Sequence, residues 1–132
     1  MNDNFINQEK IWPLIYVGFG GSSGAILRMG FLGLASTPFN ILIINVLGSF
    51  MLGVLMYSTE FGNVNPHFRL FFGIGFLGSL TTFSNFALQT YTLASVSLIY
   101  SIANIFLNLI LGIAAIIAGR EAVIYVSSRR NR

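Results

Sequence analysis

Between Gly78 and Phe86 an otherwise apolar stretch turns polar. The order is Gly78-Ser79-Leu80-Thr81-Thr82-Phe83-Ser84-Asn85-Phe86, with five hydroxyl or amide side chains between positions 79 and 85. Phe83 and Phe86 stand three apart, so on a helix they share a face. Asn45 is a lone amide in a second apolar stretch, and its side chain offers two N–H donors. Arg28 is a single cation at the end of a third stretch. Ring edges are electropositive, so these groups together suit a route for an anion lined by neutral donors, with a cation adding attraction at a mouth. Each also has a plainer use. An amide in a membrane span can join helices, a phenylalanine pair among 13 can pack or face lipid, and Arg28 can snorkel to headgroups.

The missing residue types narrow the chemistry further. No Asp or Glu lies inside the apolar stretches, the single histidine (His67) sits in a polar connector, and there is no cysteine. Hydroxyls without a neighbouring base are poor nucleophiles, so no enzyme is expected. Proton-coupled carriers normally place an ionisable group within the membrane, which argues against a proton-driven exporter or pump. Disulfides and thiolate metal sites are excluded.

The elements that must position these groups follow from composition. The chain has 132 residues, 55% hydrophobic and 8% charged, with a mean hydropathy of +0.77, too few charges to cover a water-facing surface. Uncharged runs cover positions 11–27, 29–59 and 70–119. At about 20 residues per membrane-spanning helix, they hold one, one and two spans. The expected architecture is a single all-α membrane domain, residues 1–132, with transmembrane helices at about 11–31, 39–58, 70–93 and 97–119. The leader carries Asp3 and Glu9 beside Lys10, unlike a signal peptide, so span one reads as a retained helix with Pro13 in its first turn. Gly20 and Gly24 have the spacing that lets helix backbones approach in lipid. Ala35-Ser36-Thr37-Pro38 forms a short loop, and the connector from Glu60 to His67 is exposed. Thr81 and Thr82 fall near the midpoint of span three, where backbone leaves helical geometry only if protein or a water-filled cavity satisfies it. Span three is therefore expected to break at mid-membrane. Asn104, Asn108 and Gly112 share one face of span four. The net charge of +3 reflects Arg120, Arg129, Arg130 and Arg132 after the last span, a pattern that points to the cytoplasmic side and anionic membrane lipid rather than to nucleic acid.

These residues resemble the small four-helix fluoride channels called Fluc or CrcB. Gly75-Phe76-Leu77-Gly78-Ser79-Leu80-Thr81-Thr82-Phe83-Ser84-Asn85-Phe86 is similar to the family's Gly-Phe-x-Gly-Gly-x-Thr-Thr-Phe-Ser-Thr-Phe. Gly20-Gly21-Ser22-Ser23-Gly24-Ala25-Ile26-Leu27-Arg28 resembles Gly-Gly-x-x-Gly-x-x-x-Arg. Asn45-Val46-Leu47-Gly48-Ser49-Phe50 resembles Asn-x-x-Gly-x-Phe, and Asn104-Ile105-Phe106-Leu107-Asn108 resembles Asn-x-x-x-Asn. The motifs fall in order on all four spans; the one in span three is specific, and the other three are weak singly. The resemblance implies a passive, fluoride-specific channel in the bacterial cytoplasmic (inner) membrane that lowers cytoplasmic fluoride. It also implies an antiparallel, dual-topology-type dimer with two pores. By the same resemblance Asn45 donates to fluoride, Phe83 and Phe86 present ring edges, Ser84 is a polar neighbour and Arg28 shapes the entrance. The backbone carbonyls of Gly78 and Thr81, from both subunits, hold a structural Na+ that is not transported.

Three positions depart from the family pattern. Ile41 stands where a threonine is frequent, Ser79 replaces a glycine, and positions 109–113 lack a hydroxyl. With both termini on one side, Lys10, Arg69, Arg120, Arg129, Arg130 and Arg132 oppose Arg28 alone, whereas a chain that inserts both ways should show little bias. Two pairings therefore stand open: a homodimer, or a dimer with a paralogous subunit of opposite orientation. The rival readings are a small four-helix membrane exporter, which lacks its embedded glutamate here, and a non-transporting membrane scaffold subunit.

Overall fold

Bilayer-length apolar runs with few helix breakers can satisfy their backbone in lipid only as helices, and helices make up nearly all of the structure. The computed structural model describes residues 3–33, 37–61 and 64–130, with no strand among them. Ala35 and Ser36 of the first loop, Gly62 and Asn63 of the connector, and Arg132 lie outside the described residues. Five helices follow in order: α1 (Asp3–Gly33), α2 (Pro38–Phe61), α3 (66–80), α4 (Phe83–Val96) and α5 (Leu98–Arg130). The stretches Pro38–Glu60, Pro66–Val96 and Leu98–Arg129 are each long and apolar enough to cross a membrane. The chain is a multi-pass membrane protein, and its large exposed apolar side chains, such as Leu14, Ile26, Ile99 and Ile110, suit contact with lipid or with a partner.

Helix ends differ from the expected spans for one physical reason. Charges mark where a helix meets headgroups, not where it stops. α5 continues past Gly119 to Arg130 because Arg120-Glu121-Ala122 and the residues after them contain no Gly or Pro breaker. Arg120 lies over the Tyr57 ring, 4.7 Å from its centroid, tying α5 to α2 where the apolar run ends. α1 already starts at Asp3, so Pro13 is inside the helix rather than in its first turn. The carbonyl that loses its bond to proline lies four residues earlier, ahead of the apolar run.

Small residues bring the helices together. A Cβ on Gly20 would overlap the Phe71 carbonyl, and one on Gly24 would overlap that of Phe76, so α1 lies with its glycine face directly on the α3 backbone. Gly53 and Gly119 meet the carbonyls of Ile116 and Phe50 in the same way, joining α2 to α5. Between α2 and α3 sits a small core of Ile44, Leu55, Leu77 and Leu80, with Phe72 and Phe76 packed against it.

α3 is not a uniform helix. Asn65 caps its first turn, accepting a bond from the His67 N–H at 2.9 Å, and Pro66 supplies the preset first position. Residues Leu70–Leu77 are then π-helical, an eight-residue stretch of the widened turn that usually occurs as a single bulge. One α turn, Gly78–Leu80, ends the helix.

Candidate functional site

The expected break is present at the expected residues. Thr81 (φ −71°, ψ 153°) and Thr82 (φ −143°, ψ 114°) are extended, separating α3 from α4. Thr81 is the central residue of the 31-residue stretch Pro66–Val96. A break leaves unpaired backbone groups on both sides, and here side chains take several of them. The Thr82 hydroxyl accepts from the Asn85 N–H at 3.3 Å, capping α4. The Thr81 hydroxyl donates to the Leu77 carbonyl at 3.0 Å.

The decisive partner comes from α2. The Thr82 N–H, which in a continuous helix would close onto the Gly78 carbonyl, donates instead to Asn45 Oδ1 at 2.9 Å. Thr82 is only 4% exposed, so this donor has no water to fall back on. Asn45 thus holds the break open. The same amide directs Nδ2 toward the Thr82 carbonyl and Asn108 Oδ1, both at 3.4 Å. These lengths lie well beyond the usual 2.9–3.0 Å, so the Asn45 N–H donors are only weakly engaged.

Around the break lies an open cleft of about 460 Å³. Asn45, Gly48 and Ser49 line it from α2, Leu77 and Gly78 from α3, Thr81 and Thr82 from the break, Phe83 and Phe86 from α4, and Asn108 and Gly112 from α5. The two phenylalanine rings stand 5.6 Å apart, centroid to centroid, at 52°. Phe86 is half-buried, whereas Phe83 is 80% exposed. Five of the expected residues (Asn45, Gly78, Thr81, Phe83 and Phe86) therefore meet in one cleft. The other two do not line it. Ser84 is exposed, its hydroxyl 3.2 Å from that of Thr82, and Arg28 is half-buried on α1, which contributes nothing to the lining.

Among the lining residues outside the expected set, two act on the expected ones directly. Asn108 lines the cleft and touches Asn45; its four-residue spacing from Asn104 was the available signal. Gly48 packs under the break, where a Cβ would overlap the Thr81 methyl. Ile41, one turn before Asn45, is 1% exposed and part of the core, so the position where a threonine is frequent serves packing here.

Residues 15–120 match the family model described as "CrcB-like protein, Camphor Resistance (CrcB)". The chain belongs to the CrcB family. A CrcB relative from Methanosarcina barkeri, named fluoride-specific ion channel FluC 2, is 38% identical over 130 residues, covering 98% of each chain. One of the same name from Methanosarcina acetivorans is 38% identical over 122 residues, covering 92% of this chain and 94% of its own. The fluoride-specific ion channel FluC of Shewanella amazonensis is 35% identical over 117 residues, covering 83% and 94%. These names describe channels and not enzymes. CrcB relatives come from archaea as well as a bacterium, so family membership does not select a bacterial membrane.

Proposed function

We infer that this chain is a subunit of a passive, fluoride-specific channel that releases fluoride down its electrochemical gradient and so lowers cytoplasmic fluoride. The observation that carries the reading is the meeting of Asn45, Phe83 and Phe86 in one cleft, in a chain whose relatives over nearly full length are named fluoride-specific channels. A small anion holds its water strongly, and a narrow dry path must replace that water with donors. The loosely engaged Asn45 Nδ2 and the ring edges of Phe83 and Phe86 supply them without a fixed charge. A buried cation in their place would hold the ion too tightly to conduct. Ser84 is a polar neighbour at the end of the path. Arg28, outside the cleft, adds attraction at an entrance.

α1 makes the fourth span. The cleft is open and Phe83 on its lining is 80% exposed, which supports a second wall from an antiparallel partner, either another copy or a paralogue of opposite orientation. The cytoplasmic membrane of a bacterium or archaeon is the setting.

A structural Na+ fits the residues present. Gly78's carbonyl loses its helical partner to Asn45, Thr81's extended backbone turns its carbonyl out of the helix, and both residues line the cleft. Neutral oxygens of this kind are what a hard cation takes where helices are interrupted. Na+ there would balance carbonyl dipoles that lipid cannot, and the Gly78 and Thr81 carbonyls of both subunits would hold it.

The test is fluoride efflux from liposomes containing the purified chain, read with a fluoride electrode after a potassium ionophore releases the counter-charge. Fluoride should leave without a proton gradient, and chloride should stay. Liposomes that retain fluoride despite well-folded protein, whether the chain is alone or paired with a paralogue, would overturn the reading.

A further inference from the structure

Beyond the groups that face the anion, a one-way chain of hydrogen bonds runs through three helices. The Thr82 N–H donates to Asn45 Oδ1 at 2.9 Å, and Asn45 Nδ2 points to Asn108 Oδ1 at 3.4 Å. Asn108 Nδ2 donates to Asn104 Oδ1 at 3.2 Å and to the Asn104 carbonyl at 3.0 Å. Asn104 Nδ2 donates to Thr90 Oγ1 at 2.8 Å, and the Thr90 hydroxyl donates to the Phe86 carbonyl at 2.8 Å.

Both ends of this chain have fixed polarity. A backbone N–H can only donate and a carbonyl can only accept. Thr90 spends its one proton on Phe86, so its oxygen must receive the Asn104 amide nitrogen. Asn104 then turns its oxygen to Asn108, which is left with its own oxygen facing Asn45. The sequence of contacts therefore fixes every amide, and Asn108 presents an acceptor, not a donor, beside the Asn45 N–H groups that line the cleft.

We propose that Asn108 is a specificity-determining residue whose carbonyl oxygen competes with the passing anion for Asn45 Nδ2, with Asn104 and Thr90 as positioning residues that keep that oxygen turned inward. The proposal rests on the fluoride-channel reading above. Fluoride, the most basic halide, displaces an amide oxygen from an N–H held only at 3.4 Å. Chloride accepts hydrogen bonds more weakly and does not. An oxygen at this position is also mildly repulsive to any anion, a cost repaid only by one that then bonds strongly to Asn45.

Asn108→Leu removes the competitor while keeping side-chain bulk. Asn104→Leu leaves Asn108 in place but removes the side-chain partner of its Nδ2, so only the backbone carbonyl at 3.0 Å still orients that amide and its N–H groups turn toward the cleft more often. In the liposome assay, with fluoride and chloride efflux measured in parallel, Asn108→Leu should lower the fluoride-to-chloride flux ratio by about tenfold, the factor carried by one neutral hydrogen bond, and Asn104→Leu should lower it in the same direction by a smaller factor. Should one variant fail to fold, the other gives the same readout. A wild-type chain that passes no fluoride overturns the channel reading and this inference with it. A wild-type chain that conducts, beside variants whose ratio is unchanged or whose two fluxes fall in proportion, overturns this inference alone.

Discussion

Replacing Asn45 by leucine tests the structural and the conductive parts of the site together. The substitution removes Oδ1, the acceptor of the Thr82 N–H at 2.9 Å. Thr82 is 4% exposed, and a buried donor left unpaired costs about 1–3 kcal/mol. Loss of the two 3.4 Å donor contacts adds little, because they are long. The expected destabilisation is therefore about 1–3 kcal/mol, a factor of about 5 to 150 in the folding equilibrium, read by unfolding in mixed detergent micelles. One escape is open to the variant: the Thr82 N–H can rejoin the Gly78 carbonyl and mend the helix. That route recovers stability but consumes a proposed Na+ ligand, so any response of the proposed dimer to Na+ should then vanish. Fluoride flux should fall in either case, since the Asn45 N–H donors are gone. An Asn45→Leu protein with wild-type stability, wild-type Na+ response and wild-type flux would refute the account of this amide.

Phe83→Ile and Phe86→Ile should each cut fluoride flux by about tenfold while the protein stays monodisperse; a favourable aromatic edge contact is worth about 0.5–1.5 kcal/mol, and isoleucine offers no such edge. Normal conduction in both would show that the path runs elsewhere. Gly24→Val should destabilise the chain by about 1–3 kcal/mol, because even its Cβ overlaps the Phe76 carbonyl and α1 must move off α3. Gly30→Ala, whose added methyl meets no other helix within 4 Å, should instead leave stability unchanged or raise it by up to about 1 kcal/mol in micelle unfolding, because alanine is the better helix former. If the proposed dimer holds Na+, exchanging Na+ for a large organic cation should loosen it, seen as a shift to later, monomer elution; elution unchanged by the exchange would count against the Gly78 and Thr81 carbonyls as cation ligands.

Three of the spans and the break were legible because the bilayer imposes a coarse rule on sequence. It demands uncharged runs of fixed length, so the gaps between Arg28, Glu60, Arg69 and Arg120 located the apolar segments directly. Five polar side chains near the middle of the third span marked the break for the same reason. The helix ends were less legible, since water beyond the headgroups tolerates helix and coil alike: α1 begins at Asp3 with Pro13 well inside, and α5 runs to Arg130. The π-helical stretch left no trace, because Leu70-Phe71-Phe72-Gly73-Ile74 reads equally well in a tighter helix. Asn45 was legible only in part. Its donors point to an anion, but its acceptor role depends on Thr82, 37 positions away, a pairing that no local pattern encodes. The shared face of Asn104 and Asn108 was visible, whereas the direction of their bonds needed both fixed ends of the chain.

That double role of Asn45 bears on how the site works. A helix broken inside a bilayer has a donor to satisfy on one side and a carbonyl to satisfy on the other. Asn45 Oδ1 takes the donor and in doing so releases the Gly78 carbonyl. Because Oδ1 is fixed by that short bond, Nδ2 cannot turn away, and it stays on the cleft side with only long contacts to relinquish. The opening of the helix and the supply of neutral N–H donors to the cleft are therefore set by one amide orientation. An aspartate at this position would keep the bond to Thr82 but place oxygens against the Thr82 carbonyl and Asn108 Oδ1, with a charge that a membrane interior disfavours by about 2.5–3.5 kcal/mol. A glutamine would carry its oxygen one methylene further from the backbone. Of the three closely related side chains, only asparagine reaches the break with its acceptor and leaves neutral N–H donors on the cleft side, which is why an amide of this length, and no charged group, suits this position of the cleft.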